Sequence, residues 1–262
     1  MVRARLSAIA SAGSMEMRIA IFSDVHGNLQ ALDAVLADIA AQTPDAVYCL
    51  GDLVGYGGNP NEVTERIRRD GFPTVMGNYD DGVGYDRDEC GCAYTEERDR
   101  LLGDRSLAWT KARTTAENKA FLKTLVKEIR FDADGKRILL VHGSPRKMNE
   151  YLFEDRAISS FQRLAASSSA DVIAFGHTHK PYTREVDGVL FLNDGSVGKP
   201  KDGDWRACYA ILENGVATFR RVNYDVRAAA AAIRATDLPH EFAEDIETGG
   251  GPRSARSSAD RR

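Results

Sequence analysis

The chain has 262 residues, of which 43% are hydrophobic and 28% are charged. Its 35 lysine and arginine residues and 39 aspartate and glutamate residues leave a formal net charge of −4. This mild acidity argues against a general binder of nucleic acids or anionic membranes, because such proteins normally carry a basic surplus. A chain of this length can bury a large core without disulfides or a structural metal.

The two ends of the chain differ in character from its middle. Residues 1–16 contain a short apolar run broken by serines, and they are interpreted as a disordered extension, with Met15 or Met17 as alternative starts. Residues 248–262 are rich in glycine, serine and arginine and are interpreted as a disordered tail. No repeat or linker divides the remainder, so a single domain is expected over residues 17–247.

Apolar, strand-like segments alternate with helix-like segments along the first two thirds of the chain. Strands are predicted at residues 18–22, 46–50, 73–76, 136–141 and 171–175. An amphipathic helix capped by Asn28 follows the first strand, and a helix with Pro60 at its first position follows the second. This alternation is typical of β-α-β units in an α/β protein.

The C-terminal third has a different, more hairpin-like pattern. Strands are predicted at residues 189–192, 207–212 and 216–222. An alanine-rich helix is predicted at residues 224–235, and His240 is interpreted as the start of another helix.

Side chains that can bind a metal follow each of the first five predicted strands. They are Asp24, His26, Asp52, Asn78, His142, His177 and His179. Ligands of α/β proteins lie beyond the carboxyl ends of the strands, so these donors converge if the strands share a sheet. Residues i and i+2 of an extended segment face the same side, which would direct Asp-x-His and His-x-His to one ion or to adjacent ions.

The donor types indicate the class of metal. Carboxylate, imidazole and amide oxygen together suit Mn, Fe, Ni, Zn or Co better than Ca²⁺. Seven donors exceed the needs of one tetrahedral ion and favour two ions that share a bridging carboxylate. An isolated histidine is usually an ordinary core or surface residue, but four of the five histidines lie in these motifs. Their number and order favour a metal site over chance.

The set of motifs resembles the calcineurin-like metallophosphoesterase family. The resemblance is carried by Asp24-x-His26, Gly51-Asp52, Gly77-Asn78-x-Asp80, His142-Gly143 and Gly176-His177-x-His179. The stretches at 51–58 (GDLVGYGG), 141–145 (VHGSP) and 193–198 (NDGSVG) are similar to its small bacterial, phosphodiesterase-like branch. The similarity extends from about Arg18 to Glu247. It implies a four-layer αββα sandwich, in which two mixed β-sheets are flanked by helices.

The resemblance also implies a phosphoester hydrolase that depends on two divalent metal ions. Asp24, His26, Asp52 and His179 would hold one ion, and Asp52, Asn78, His142 and His177 the other, with Asp52 as the bridge. Two ions about 3.5–4 Å apart would lower the pKa of a bridging water, and the resulting hydroxide would attack phosphorus in line. The identity of the metal stays open among Mn, Fe, Ni, Zn and Co.

One position departs from the family pattern. The family has Gly-Asn-His followed by Asp or Glu, whereas this chain has Tyr79 and Asp80, and both are interpreted as catalytic. The ordinary pKa of tyrosine is about 10 against about 6.5 for histidine, so tyrosine is a poorer proton donor near neutral pH. We therefore expect weak activity on simple monoesters and a relative preference for diesters. A packing role for Tyr79 is the alternative.

Three other classes of function stay open. They are a phosphomonoesterase, a dinucleoside polyphosphate hydrolase, and a catalytically weak scaffold of the same fold, for which a retromer subunit is the precedent. The expected partner is a small phosphoester, with no membrane and no nucleic acid, and association into a homo-oligomer stays open. The four cysteines are compatible with a reduced, cytoplasmic setting.

Substrate contacts are less well defined by the sequence. Arg146, Tyr56 and Asn59 follow metal motifs closely and are interpreted as substrate-binding. The insert at residues 81–94 is interpreted as a structural or rim loop, with a redox or metal role for Cys90 and Cys92 as the alternative.

Overall fold

The computed structural model describes residues 17–91 and 96–250. The predictions for residues 1–16, for Cys92 and for most of the C-terminal tail lie outside the described residues. The strands are β1 Arg18–Phe22, β2 Ala46–Cys49, β3 Ile129–Ala133, β4 Lys136–Leu140, β5 Val172–Phe175, β6 Tyr182–Val186, β7 Val189–Asn193, β8 Ala207–Glu213 and β9 Val216–Val222. The helices are α1 Leu29–Gln42, α2 Pro60–Asp70, α3 Asn78–Gly84, α4 Glu97–Arg113, α5 Ala116–Leu122, α6 Ile158–Ser168, α7 Val226–Arg234 and α8 Glu241–Thr248.

The strands form two mixed sheets. One sheet has the order β2-β1-β8-β9 and the other has the order β3-β4-β5-β7-β6. In the first sheet β1 runs parallel to β2 and antiparallel to β8. In the second, β5 runs parallel to β4 and β7, whereas the edge strands β3 and β6 run antiparallel to their neighbours. The predicted α/β architecture of two mixed sheets flanked by helices is confirmed.

Three apolar clusters account for the layering of the molecule. Along β1, Ile19 and Ile21 pack in a cluster that joins both sheets, whereas Ala20 and Phe22 pack in the cluster under α1, α2, α7 and α8. A third cluster fills the space between the second sheet and α6. Because successive side chains of a strand face opposite sides, a strand covered on both sides reads as a continuous apolar run. This is why the strand-like segments were recognisable in the sequence.

The predicted helix starts are confirmed at three places. The side chain of Asn28 accepts the N–H of Ala31 at 3.1 Å and caps α1. Pro60 occupies the first position of α2, although Asn59 caps that helix without a side-chain hydrogen bond. His240 is the N-cap residue of α8.

Two predictions of local structure need correction. Residues 73–76 form only isolated bridges instead of a strand. The strands that precede the metal donors also do not share one sheet, because β1 and β2 belong to the first sheet and β4 and β5 to the second. The donors therefore approach one another from two sheets that face each other across the central cluster.

Described structure continues for a few residues past the predicted end of the domain at residue 247. Helix α8 includes Thr248, and the N–H of Gly250 donates to the carbonyl of Asp245 at 2.8 Å. Among the helices of the described segments, none is both long and apolar enough to cross a membrane.

Candidate metal centre

Two groups of buried side chains lie next to each other beyond the ends of β1, β2, β4 and β5. The first group contains Asp24, His26 and His179, and the second contains Asp52, His142 and His177. Within each group, one ligand atom of every residue lies within 4.8 Å of the others. The side-chain oxygen of Asn78 adjoins the second group, 3.1 Å from Nε2 of His142. The structure thus brings together all seven donors that the sequence indicated.

The carboxylate of Asp52 faces both groups. Its Oδ2 lies 3.4 Å from Nε2 of His142 and 3.7 Å from Nε2 of His26. Its Oδ1 accepts the backbone N–H of Tyr79 at 2.8 Å, which fixes the orientation of the carboxylate. This placement fits the bridging role that the family resemblance implies.

Backbone carbonyls determine which nitrogen of each imidazole carries the proton. The Nδ1 atoms of His26, His142 and His179 lie 2.9, 2.8 and 2.6 Å from the carbonyl oxygens of Val54, Leu50 and Lys199. A carbonyl oxygen only accepts, so each Nδ1 must be the donor. In the neutral imidazole, Nε2 then carries no proton, and its lone pair points into the centre.

In the first group, three hydrogen-bond acceptor atoms point towards one another. The Nε2 atoms of His26 and His179 lie 3.2 Å apart, and Oδ1 of Asp24 lies 3.6 and 3.3 Å from them. With both imidazoles neutral, no proton lies between these three atoms, and a cation at their centre removes the mutual repulsion. Oδ1 of Asp24 and Nε2 of His177 are buried and have no hydrogen-bond partner among the described residues. These donors fit a divalent transition-metal or zinc ion.

Burial and neighbouring charges also favour the forms of these groups that bind metals. Burial lowers the pKa of His26 to about 3, and burial together with the charge of His142 lowers the pKa of His177 to about 3. Burial alone would raise the pKa of Asp24, but the neighbouring imidazoles, His179 first, hold it well below its usual range. His142 differs, because the charges of Asp52 and Asp24 outweigh burial and raise its pKa to about 10.

Five of the seven donors have a left-handed backbone conformation. The φ angles are 52° for Asp24, 47° for His26, 54° for Asp52, 64° for His177 and 60° for His179. Aspartate and histidine are among the few non-glycine residues that adopt this region, and such conformations cluster at functional sites. The expectation of extended segments is therefore wrong. His177 and His179 belong to different groups, which agrees with the alternative of adjacent ions.

Two glycines allow the donor loops to approach one another closely. A Cβ atom at Gly77 would lie 2.1 Å from Oδ1 of Asp52, and one at Gly176 would lie 2.2 Å from Oγ of Ser23. Contacts this short do not occur, so any side chain at either position would displace a donor or its neighbour. These glycines therefore let the backbone approach the centre closely.

Asp80 supports the site through the backbone rather than through the reacting atoms. Its Oδ2 accepts the N–H groups of Asp52 at 2.8 Å and Gly77 at 2.9 Å, and its Oδ1 accepts that of Leu53 at 2.9 Å. Burial and the charge of Asp52 raise its pKa to about 7. The carboxylate of Asp80 therefore holds the loop that carries Asp52, and a catalytic role for Asp80 stays a prediction.

Tyr79 lies beside the first group of donors. Its side chain is 1% exposed, and its ring centroid lies 5.5 Å from that of His26 and 4.7 Å from that of Tyr56. The residue is therefore at the place where a proton donor or a packing partner of the centre would be. Its catalytic role stays a prediction.

Of the three predicted substrate contacts, Tyr56 has a ring contact with a metal donor, and the substrate-binding role of all three stays a prediction. The ring of Tyr56 is 4.9 Å from that of His26 in an edge-on arrangement. Arg146 instead forms an ion pair with Glu150 on the surface. Asn59 begins α2, and its backbone N–H donates to the carbonyl of Gly27 at 3.0 Å.

The predicted insert after Asp80 begins as a helix, and its later residues include Cys90, which contacts the metal donor Asn78. Its first residues belong to α3, which ends at Gly84. The amide of Asn78 donates to the carbonyl of Cys90 at 3.2 Å, so the described end of the insert forms part of the rim. The role of the Cys90 and Cys92 pair stays a prediction, because Cys92 lies outside the described residues.

Sequence reasoning missed the residues that brace Asp24. Ser23 Oγ lies 2.6 Å from Oδ2 of Asp24 and 2.8 Å from Oδ1 of Asp194. Burial and the charge of Asp24 raise the pKa of Asp194 well above its usual range, and a protonated Asp194 makes both contacts hydrogen bonds. Ser196 Oγ donates to the carbonyl of Asp24 at 2.9 Å. Ser23 follows β1, and Asp194 and Ser196 follow β7, just as the metal donors follow strands, and that position was the available signal.

Comparison with known proteins agrees with this arrangement. A model of the calcineurin-like phosphoesterase superfamily domain matches residues 17–215. An uncharacterised protein of Methanocaldococcus jannaschii, MJ0912, is 35% identical over 252 residues, covering 88% of this chain and 98% of that protein. Phosphodiesterase YfcE of Escherichia coli is 25% identical over 227 residues, covering 83% and 98%.

A solved structure extends the likeness to three dimensions. The crystal structure of a metallophosphoesterase from Sphaerobacter thermophilus is 30% identical, with a TM-score of 0.71 over 90% of this chain and 100% of that one. The matched segment of the superfamily model includes every donor of the two groups. The chain therefore belongs to the calcineurin-like phosphoesterase superfamily and is a metal-dependent phosphoesterase.

Proposed function

We propose that the chain is a phosphodiesterase that works with two divalent metal ions. One ion is assigned to Asp24, His26, Asp52 and His179, and the other to Asp52, Asn78, His142 and His177. The observation that carries this proposal is the position of Asp52, whose Oδ2 lies within 3.7 Å of an imidazole Nε2 from each group. The relative named as a phosphodiesterase supports the reaction class.

When bound, two such ions lower the pKa of a water and neutralise charge on the phosphoryl oxygens. Backbone N–H groups of the chain fix the orientation of the carboxylates of Asp52 and Asp24. Oδ1 of Asp52 is held by the N–H of Tyr79, and Oδ2 of Asp24 accepts the N–H of His177 at 2.9 Å. Fixed donors in a buried centre avoid reorganisation during the reaction, which is the main source of electrostatic catalysis.

Removal of divalent metals with a chelator is expected to abolish hydrolysis of an aryl phosphodiester. It should also lower the Tm by about 5–10 °C, because a ligand at 100 times its Kd stabilises a protein by about 2.7 kcal/mol. Activity and Tm should return with Mn²⁺ and not with Ca²⁺, which prefers an all-oxygen site. Turnover by protein whose metal content has fallen below about a tenth of an equivalent would contradict the proposal.

Exchange of Tyr79 tests the preference for diesters. Tyr79→His is expected to raise the ratio of monoester to diester kcat/KM at least about tenfold, because general acids contribute about 10²–10⁴-fold and histidine protonates better at neutral pH. Tyr79→Phe should lower both activities. Tyr85→His, at an exposed position, serves as the matched control. An unchanged ratio in Tyr79→His would leave Tyr79 with a packing role only.

A further inference from the structure

A cleft of about 730 Å³ lies beside the candidate metal centre. Its volume is in the range of sites for small organic ligands. Among the described residues that line it are Tyr56, Tyr151, Phe153, Phe242, Lys180 and Lys201. The cleft therefore combines flat aromatic surface with positive charge next to the centre.

One side of the cleft is a row of rings that starts at His177. The ring centroid of Tyr151 lies 4.0 Å from that of His177, and that of Phe153 lies 5.6 Å from Tyr151 at an interplanar angle of 16°. The side chain of Phe153 is 40% exposed. An exposed phenylalanine stacked on a tyrosine offers a platform for a flat group such as a nucleobase.

Another side of the cleft starts at His26 and is held in place by a buried ion pair. The ring of Phe242 lies 5.1 Å from that of Tyr56, which in turn lies against His26. Lys199 Nζ is 2.7 Å from Oδ2 of Asp245 and 5.0 Å from the centre of the Tyr56 ring. The charge of Lys199 is therefore matched by Asp245, and the pair positions this wall.

Two further lysines lie close to His179. Lys180 is its neighbour in the chain, and the backbone N–H of Lys201 donates to the carbonyl of His179 at 3.3 Å. The described lining of the cleft contains three lysines, Lys180, Lys199 and Lys201, and two carboxylates, those of Asp99 and Asp245. The excess positive charge suits an anionic group.

We propose that this cleft binds a nucleotide-type substrate, with an aromatic base on the Tyr151–Phe153 pair and a second phosphate beside Lys180 and Lys201. The phosphoester that is cleaved would lie at the metal centre. This inference rests on the proposed function, because it names the substrate class for the same site.

Binding measurements on the metal-loaded full chain test the proposal independently of turnover. Calorimetry would give the Kd of ribose 5-phosphate, AMP and ADP. We expect AMP to bind about 5- to 100-fold more tightly than ribose 5-phosphate, since stacking of a base on an aromatic side chain contributes that much. Phe153→Ala should reduce this ratio to within about twofold of one, and Lys180→Ala should reduce the preference for ADP over AMP at least about fivefold.

Matched variants outside the cleft serve as controls. Phe219→Ala removes a phenylalanine on β9 that is 37% exposed, and Lys127→Ala removes an exposed lysine. Both should keep the wild-type ratios. Equal Kd values for AMP and ribose 5-phosphate, or a ratio unaffected by Phe153→Ala, would overturn the base platform. An ADP preference unaffected by Lys180→Ala and Lys201→Ala would overturn the phosphate subsite.

The two proposals fail in different ways. Metal-loaded protein that binds AMP as expected but hydrolyses no phosphodiester would overturn the proposed function and leave the cleft assignment standing. Protein that hydrolyses diesters but shows none of the expected Kd ratios would overturn the cleft assignment alone.

Discussion

Replacement of Asp52 by asparagine is expected to lower kcat/KM for an aryl phosphodiester by at least about 1,000-fold. Metal ions contribute several kcal/mol of transition-state stabilisation, and each ~1.4 kcal/mol corresponds to a factor of ten in rate. Asp52 is the carboxylate that faces both donor groups, through Oδ2. An asparagine side chain lacks the charge, and its NH₂ group would face either the Tyr79 N–H or the lone pairs of the imidazoles. Metal analysis should show less than two equivalents bound.

Asp187→Asn is the matched control for Asp52→Asn. Asp187 is exposed in the turn between β6 and β7, and its φ of 50° is close to the 54° of Asp52. Asparagine tolerates this left-handed backbone, so the control reports the general effect of the exchange without the metal centre. Wild-type activity and two metal equivalents in Asp52→Asn would show that Asp52 does not bridge.

Replacement of Asp80 is expected to have the largest effect on stability. Three buried N–H groups, those of Asp52, Leu53 and Gly77, donate to its carboxylate. A buried donor left without a partner costs about 1–3 kcal/mol, so Asp80→Ala should lower the free energy of unfolding by about 3–6 kcal/mol. Asp80→Asn keeps one oxygen and should lose about 2–3 kcal/mol, because its NH₂ faces at least one N–H. Urea unfolding of the metal-free proteins measures both.

The neighbouring residue provides the control for Asp80. Asp81 pairs with Arg87 at the surface, and an exposed ion pair contributes at most about 1 kcal/mol. Asp81→Asn should therefore unfold within about 1 kcal/mol of the wild type. The Asp80→Asn protein should also bind metal more weakly than Asp81→Asn, since the loop that carries Asp52 is less firmly held. A loss below about 0.5 kcal/mol in Asp80→Asn would contradict the supporting role.

The sequence alone determined which residues form the candidate metal centre. Each donor comes directly after a short apolar segment, as in Asp24 after β1 and His177 after β5. Carboxylate and imidazole in that position are uncommon without a function, and their repetition after several segments made the pattern specific. The four-layer fold was predicted from the family resemblance, because the hydrophobic pattern indicated strands but not which sheet each strand joins.

The tertiary structure decided how those residues act together. Strands from two different sheets supply the two donor groups, since the apolar cluster shared by both sheets brings their ends together. The left-handed φ angles of five donors and the three amide contacts of Asp80 depend on neighbouring loops, which local sequence preferences do not encode. The cleft is built from Tyr56, Tyr151 and Phe242, which lie far apart in the chain. Composition and spacing identify donors, whereas packing between distant segments fixes their geometry and forms the space beside them.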